Sequence, residues 1–304
     1  MKTLRHFLTL SDLSKEALLA LMERAGQLKT GWANKERPRP LLDKSVALIF
    51  EKPSTRTRVS FEVGIGQLGG KAVFIASADS QLARSEPIRD TARVLSRYVD
   101  AIVIRTFGQD IIEEMARFAS VPVINALTDT HHPCQVLGDL LTVKERFGKL
   151  FGLKYCWLGD GNNMANSWAE AAGLLGLELA LACPPGYAPD QTILHKARQR
   201  GANITLSASP EEAIKAADVV STDVWASMGQ EKDAARRREA FGGYCLDEAL
   251  LAKASKQAVV LHCLPAHRGE EISEAVLEGA QSLVWQEAEN RLHAQKALLE
   301  FLLA

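Results

Sequence analysis

Six short stretches hold residues whose types and spacing could do chemistry. "KPSTRTR" (52–58) sets three hydroxyl residues and two arginines directly behind the apolar run "SVALIF" (45–50). Ser54 or Thr55 there would cap a helix continuing through Val59, Phe61, Val63 and Ile65. The first-turn N–H groups, the helix dipole and Arg56 would then hold a phosphate-like anion. A capped helix with solvated arginines is the plain alternative, and the glycines and lysine of a nucleotide-triphosphatase loop are missing. Arg105 closes the apolar run "AIVIRT" (101–106), as an anion ligand or as a salt-bridged structural arginine. In "DTHHPCQ" (129–135), His132 and Gln135 are three apart and share a helical face, which offers an imidazole and an amide to one ligand. His131, His132 and Cys134 are metal-ligand types, but none of the recognised zinc spacings is present, so no metal is expected. "VVLHCLPAHRGEEI" (259–272) places Cys263 just past an apolar run with His262 and His267 nearby, a thiol nucleophile or a buried structural cysteine. "GDGNNMANS" (159–167) and "STDVWASMG" (221–229) complete the set.

The elements that must position these groups are legible in the pattern around them. Val-, Ile- and Leu-rich runs alternate with helical stretches, as in parallel strands buried on both faces. The first half offers strands at 45–50, 72–77, 101–106 and 121–127, with a helix over 87–98 carrying Pro87 at its start and Ile88, Thr91, Leu95 and Tyr98 at helical spacing. The second half repeats the scheme at 154–160, 178–183, 203–208, 218–223 and 258–265, and "EAENRLHAQKALLEFLL" reads as a C-terminal amphipathic helix. The fold class expected is α/β, two doubly wound parallel-sheet domains, with 133–148 as the helix joining them. In open α/β sheets ligands sit beyond the carboxyl ends of strands, where the six stretches fall.

Bulk properties narrow the partners. A chain of 304 residues is long enough for two domains, and 47% hydrophobic residues can fill their cores. A formal net charge of -1 lacks the broad basic field that nucleic acid or an anionic membrane requires, so the arginine clusters point to a small anion. No signal-peptide core or membrane-length apolar run appears, and a cytoplasmic protein is expected. The 5 cysteines, an odd number and scattered, do not read as a disulfide framework and are taken as reduced. "GDGNNM" shares two glycines with a dinucleotide fingerprint, but Met164 replaces the third and no acid follows the next strand, which disfavours a dehydrogenase.

Taken together, the stretches resemble the aspartate/ornithine carbamoyltransferase family, in the expected order from about residue 3 to the C-terminus. "STRTR" (54–58) and "HPCQ" (132–135) resemble motifs shared by both branches, while "DVWASMG" (223–229) and "HCLP" (262–265) are similar to the ornithine branch. "GDGNN" and "EAENRLH" add to the likeness. The resemblance implies a carbamoyl phosphate-binding domain over 1–143, completed by a C-terminal helix at 286–304, and an L-ornithine-binding domain over 144–285, with the active site in the cleft. Ser54, Thr55, Arg56, Thr57 and Arg105 would hold the phosphate. His132, Gln135, the backbone at Cys263 and Leu264, and Arg291 would hold the carbamoyl group, with Pro133 and Cys134 in the same segment. Asn163, Asp223, Ser227 and Met228 would hold ornithine. The family's trimeric assembly implies that Gln81 reaches a neighbouring subunit's site. No cofactor is implied, and Arg56, Arg105, His132, Gln135, Asp223, Cys263 and Arg291 are the catalytic set.

Rival readings remain. Aspartate carbamoylation would share the phosphate half but needs cations for a second carboxylate, whereas the second-half clusters offer Asn163, Asp223, Ser227 and Met228. Putrescine or acylated ornithine could be the acceptor, and a non-catalytic binding protein could carry the same motifs.

Overall fold

A computed structural model of the chain describes residues 6–76, 86–226 and 233–304. It divides into two compact units, Met1–Leu141 with Glu289–Ala304, and Thr142–Ala288.

The first unit contains α1 (Lys15–Ala33), β1 (Ser45–Phe50), α2 (Thr55–Gln67), β2 (Lys71–Ala76), α3 (Ile88–Leu95), β3 (Ala101–Arg105), α4 (Gln109–Phe118), β4 (Val123–Leu127) and most of α5 (Pro133–Phe147). The strands form one parallel sheet in the order β2-β1-β3-β4. Ile49, Ile102, Ile104 and Val123 pack from the sheet onto Ala92 of α3 and Ile112, Met115 and Ala116 of α4.

The second unit carries β5 (Lys154–Leu158), α6 (Asn163–Leu175), β6 (Glu178–Ala182), α7 (Gln191–Gln199), β7 (Asn203–Ser207), α8 (Pro210–Ile214), β8 (Val219–Thr222), α9 (Ala234–Ala240), α10 (Glu248–Leu251), β9 (Val259–His262) and α11 (Glu274–Leu277). Its sheet is also wholly parallel, ordered β7-β6-β5-β8-β9. The final helix α12 (Val284–Leu303) begins in this unit and ends in the first.

In each sheet the chain winds outward on one side and then returns to build the other. The reversal falls between β1 and β3 in the first sheet and between β5 and β8 in the second. Such switch points open a crevice at the strands' carboxyl ends. "KPSTRTR" and Arg105 leave β1 and β3, and "GDGNN" and Asp223 leave β5 and β8, so both pairs of motifs lie at a switch point.

Element ends differ from the sequence expectation where a local bond intervenes. β4 starts at Val123 rather than 121 because Pro122 has no N–H for the ladder, although its carbonyl still accepts from Ile102 at 2.9 Å. α3 stops at Leu95 because the Ser96 hydroxyl turns back onto the Ala92 carbonyl at 2.7 Å while receiving the Ser120 N–H at 3.0 Å. β9 ends at His262, two residues before Leu264 takes a left-handed φ of 58°. The sequence reading named no element ahead of residue 45, yet α1 spans 19 residues and buries Leu18, Leu21, Met22, Ala25 and Leu28 behind a Ser14 cap.

Candidate active site

At the first switch point, Ser54 caps α2. Its φ of -164° is extended, and its Oγ accepts the Thr57 N–H at 3.3 Å. The Ser54 and Thr57 hydroxyls are also hydrogen-bonded at 2.9 Å. Thr57 is buried and becomes the meeting point of two arginines. Arg291 Nη2 donates to its Oγ at 2.9 Å and Arg105 Nη1 at 3.5 Å. Arg105 is 8% exposed and Arg291 3%, so two guanidinium charges converge on one neutral oxygen in a largely desolvated place. An anion bound there gains from both, and their planar forks suit phosphate oxygens.

Each arginine has its own positioning device. The pairing of β3 with β4 shifts register between Ile104 and Arg105, an irregularity that re-aims a strand-end side chain. Arg291 lies on α12, which passes close to α5 because position 138 is glycine. A Cβ there would stand 2.8 Å from Arg291 Cγ and 3.2 Å from its backbone N and Cα. Arg56 and Thr55 are exposed on the first turn of α2. Lys52, the first residue of "KPSTRTR", is buried; it forms an ion pair with Asp129 and sits 4.3 Å from the Phe107 ring centroid, which fixes it as a strut behind the loop.

Arg58 points away from this cluster. It pairs with Glu62 at 3.0 Å one helical turn on and lies 3.6 Å over the Phe74 ring. Arg58→Ala should therefore cost about 1 kcal/mol of stability, from a surface pair and an exposed cation–π contact. Urea unfolding checks this, with kcat/KM expected to stay within about twofold of wild type.

His132 and Gln135 enter from the start of α5, both buried. Burial pushes the His132 imidazole well below the usual range, and the charges of Arg291, Arg105 and Arg56 push the same way, so it is a neutral donor at physiological pH. Gln135 Nε2 donates to buried Asp139 at 2.8 Å, one turn along α5, which fixes the orientation of its amide. Between them the Cys134 thiol faces the Asn125 carbonyl at 3.3 Å, and burial lifts it to about 12. That thiol is inert, and what Cys134 and Pro133 can offer a ligand is backbone.

The second switch point is built around Asp223, buried just past β8. Its Oδ1 accepts the Val224 N–H at 2.8 Å and the Cys263 thiol at 3.0 Å, and its Oδ2 accepts Asn162 Nδ2 at 2.8 Å. Three donors on its two oxygens hold the carboxylate in one orientation. Asn163 opens α6 one residue past Asn162. Neighbouring Asp160 is lifted by burial and by the Asp223 charge, against the opposing pull of Arg237, which donates to it at 2.7 Å.

The loop after β9 is tied down through His262. Its Nδ1 accepts the Leu264 N–H at 2.9 Å, its Nε2 lies 3.0 Å from buried Glu271, and its own N–H reaches Glu287 at 2.8 Å. These bonds hold the backbone of Cys263 and Leu264, the latter at positive φ before a cis Leu264–Pro265 bond. Ligand atoms of Asp223, His262 and Cys263 lie within 4.8 Å of one another, whereas the His131, His132 and Cys134 grouping is not among the clusters formed by the described residues.

Gln81, Ser227 and Met228 lie outside the described residues. Sequence reasoning missed Lys52, Asp139, Asn162, Glu271 and Glu287. Asn162 alone had a local signal, an Asn directly before a helix start. The dinucleotide alternative fails for a physical reason: Asn162 Oδ1 accepts the Met164 and Ala165 N–H groups at 2.9 and 3.3 Å, which a pyrophosphate would need.

In class, this is a two-unit α/β protein with two buried arginines converging at the end of one parallel sheet and a buried, triply hydrogen-bonded carboxylate at the end of the other. The chain belongs to the aspartate/ornithine carbamoyltransferase family. Residues 5–145 match its carbamoyl-P binding domain and residues 151–302 its Asp/Orn binding domain. The ornithine carbamoyltransferase of Geobacter metallireducens is 59% identical over 300 residues, 98% of this chain and 99% of the relative. Among solved structures, the ornithine carbamoyltransferase of Pyrococcus furiosus shares 45% identity at a TM-score of 0.94, covering 98% of this chain and 97% of that one. That of Burkholderia thailandensis shares 48% at 0.91, covering 99% of each.

Proposed function

We propose that this protein transfers the carbamoyl group of carbamoyl phosphate to the side-chain amine of L-ornithine, giving L-citrulline and phosphate. The observation that carries the reading is the convergence of Arg105 and Arg291 on Thr57, with the neutral His132 imidazole within reach of both charges. Full-length similarity to named ornithine carbamoyltransferases supports the acceptor.

Residues 1–143 with 286–304 bind carbamoyl phosphate, and 144–285 bind ornithine. The first-turn N–H groups of α2, with Ser54, Thr55, Arg56, Thr57 and Arg105, take the phosphate. Arg291 and His132 donate to the carbonyl oxygen, where charge develops as the amine attacks, and Thr57 is placed to assist. Gln135 orients the carbamoyl nitrogen. Asp223 receives the α-ammonium, with Asn163, Ser227 and Met228 on the same substrate. The amine adds to the carbonyl carbon, the tetrahedral intermediate expels phosphate, and the phosphate dianion can accept the nitrogen's remaining proton. Cys263, its thiol committed to Asp223, positions and shares protons rather than attacking.

The nucleophile must first lose a proton. An alkyl amine of pKa about 10.4 is protonated at pH 7, and making it neutral costs about 4 to 5 kcal/mol. The arginine cluster opposes a second cation and helps discharge it. Turnover should therefore rise between pH 7 and 9, by up to about tenfold per unit while the neutral amine is scarce. His132 adds no limb to that window, because burial and three guanidiniums keep it neutral from well below its ordinary range upward. A pH profile of kcat/KM for ornithine, taken with chemistry shown to be rate-limiting, checks this; a flat profile would be wrong for this mechanism.

Assembly as a trimer, with Gln81 reaching a neighbouring site, is part of the same reading, and Val59 and Val63, exposed one turn apart on α2, are apolar groups such a contact could cover. A cytoplasmic location belongs to the same proposal, and among the described residues no helix is long and apolar enough to cross a membrane. A citrulline assay against ornithine, aspartate, putrescine and N-acylated ornithine tests the acceptor. Ornithine should dominate, and preferential use of any other would replace this reading.

A further inference from the structure

We propose that Asn162 is a positioning residue for the acceptor: its side-chain amide holds the Asp223 carboxylate in the orientation that receives ornithine's α-ammonium group. The inference rests on the reading of Asp223 as that group's partner, and it adds a residue with no previous role.

The turn that carries Asn162 is fixed at several points. Gly159 has a φ of 125°, a conformation side-chain-bearing residues rarely adopt. Trp157 Nε1 donates to the Asp160 carbonyl at 2.9 Å, and the Gly161 N–H to the Tyr187 carbonyl at 2.8 Å. A Cβ on Gly161 would lie 2.1 Å from Pro189 N and 2.3 Å from Ala188 C, so only glycine allows this approach of two backbones. On the other side, Thr222 Oγ donates to the Leu158 carbonyl at 2.8 Å and ties the end of β8 to the end of β5. Asn162 and Asp223 are thus presented to each other by two anchored strand ends.

The orientation of the Asn162 amide is forced. Its Oδ1 faces two helix N–H groups, at 2.9 and 3.3 Å, and its Nδ2 faces a carboxylate oxygen at 2.8 Å. Turning the amide over would set an NH₂ against two N–H donors and an oxygen against a carboxylate. Asn162 therefore does two jobs with two atoms, capping α6 with one and gripping Asp223 with the other.

The second job suits an acceptor that is a cation. Among the described residues, Asp223 Oδ1 already accepts two donors and Oδ2 accepts only Asn162, which leaves room on Oδ2 for one more donor. A lysine or arginine in place of Asn162 would cancel the charge the substrate needs. A neutral amide orients the carboxylate and leaves its charge to the ligand. Without Nδ2 the carboxylate is held through Oδ1 alone, by the Val224 N–H and the Cys263 thiol, and its soft terminal torsion lets Oδ2 turn its open lone pair away.

Asn162→Ser separates the two jobs, because serine is as good a helix cap but its hydroxyl is too short to reach Asp223. In the citrulline assay the ornithine KM should rise about 10- to 100-fold, the range expected for losing a hydrogen bond to a charged group. The carbamoyl phosphate KM should stay within about twofold, and the Tm within a few degrees, as for a retained cap. Inhibition by 5-aminopentanoate, which is ornithine without its α-amine, should be unchanged. An unaltered ornithine KM, or equal weakening of ornithine and 5-aminopentanoate, overturns the role of Asn162 while leaving ornithine carbamoylation intact. Wild-type protein that forms no citrulline overturns the underlying functional reading instead.

Discussion

Arg56→Ala should lower kcat/KM for carbamoyl phosphate by about 10³-fold or more while leaving the Tm within a few degrees of wild type. The two halves of that expectation have separate causes. Arg56 is exposed on the first turn of α2 and packs no core, so its removal leaves no cavity. Its charge nevertheless reaches the pocket, since it is one of three guanidiniums that depress His132. In the proposed complex it faces a near-dianion whose charge grows on the bridging oxygen as the C–O bond breaks, and a lost donor there acts on the transition state rather than on binding alone. Arg56→Lys should recover only part of the loss, because a point charge cannot reproduce a bidentate fork. Steady-state kinetics beside thermal unfolding check both, and activity within about tenfold of wild type would remove Arg56 from the site.

The second large effect is Asp223→Asn, which should raise the ornithine KM by about 100-fold or more and leave the carbamoyl phosphate KM nearly unchanged. An asparagine at this position loses the charge that attracts the α-ammonium. It also cannot satisfy the neighbours of the carboxylate: Val224 N–H, the Cys263 thiol and Asn162 Nδ2 all donate to it, so an incoming NH₂ would face a donor whichever way it turned. Some stability should be lost as well, and the split between the two KM values is the readout that a purely structural role would not produce. Wild-type values for both would dissociate Asp223 from ornithine.

The contrast with Arg58 shows what a local pattern can and cannot say. Its placement one residue beyond Thr57 turns it out of the pocket, and the structure gives it Glu62 and Phe74 as partners. That much follows from helical geometry. The Ser54 cap and the strand 45–50 were equally legible, because a cap is a bond between residues three apart and a buried parallel strand is a run of apolar neighbours. The pairing of Asn162 with Asp223, of Lys52 with Asp129 and of His262 with Glu287 spans 61, 77 and 25 residues respectively. Such contacts exist only once the sheet order is set, and nothing in the local sequence specifies that β5 neighbours β8. The role of Gly138 was invisible for the same reason: a glycine inside a helix is a weak local feature, and its meaning lies in the Arg291 backbone that packs against it. α1 was legible too, since Leu18, Leu21, Met22, Ala25 and Leu28 recur at helical spacing behind the Ser14 cap.

The central claim is direct transfer of a carbamoyl group to ornithine without a covalent enzyme intermediate. Reaction of ¹³C-labelled carbamoyl phosphate with L-ornithine, followed by ¹³C and ³¹P NMR, tests it most directly. The predicted result is one ureido carbon of citrulline for each phosphate released, with no label retained on the protein. Phosphate release without citrulline, or label trapped on Cys263, would contradict it.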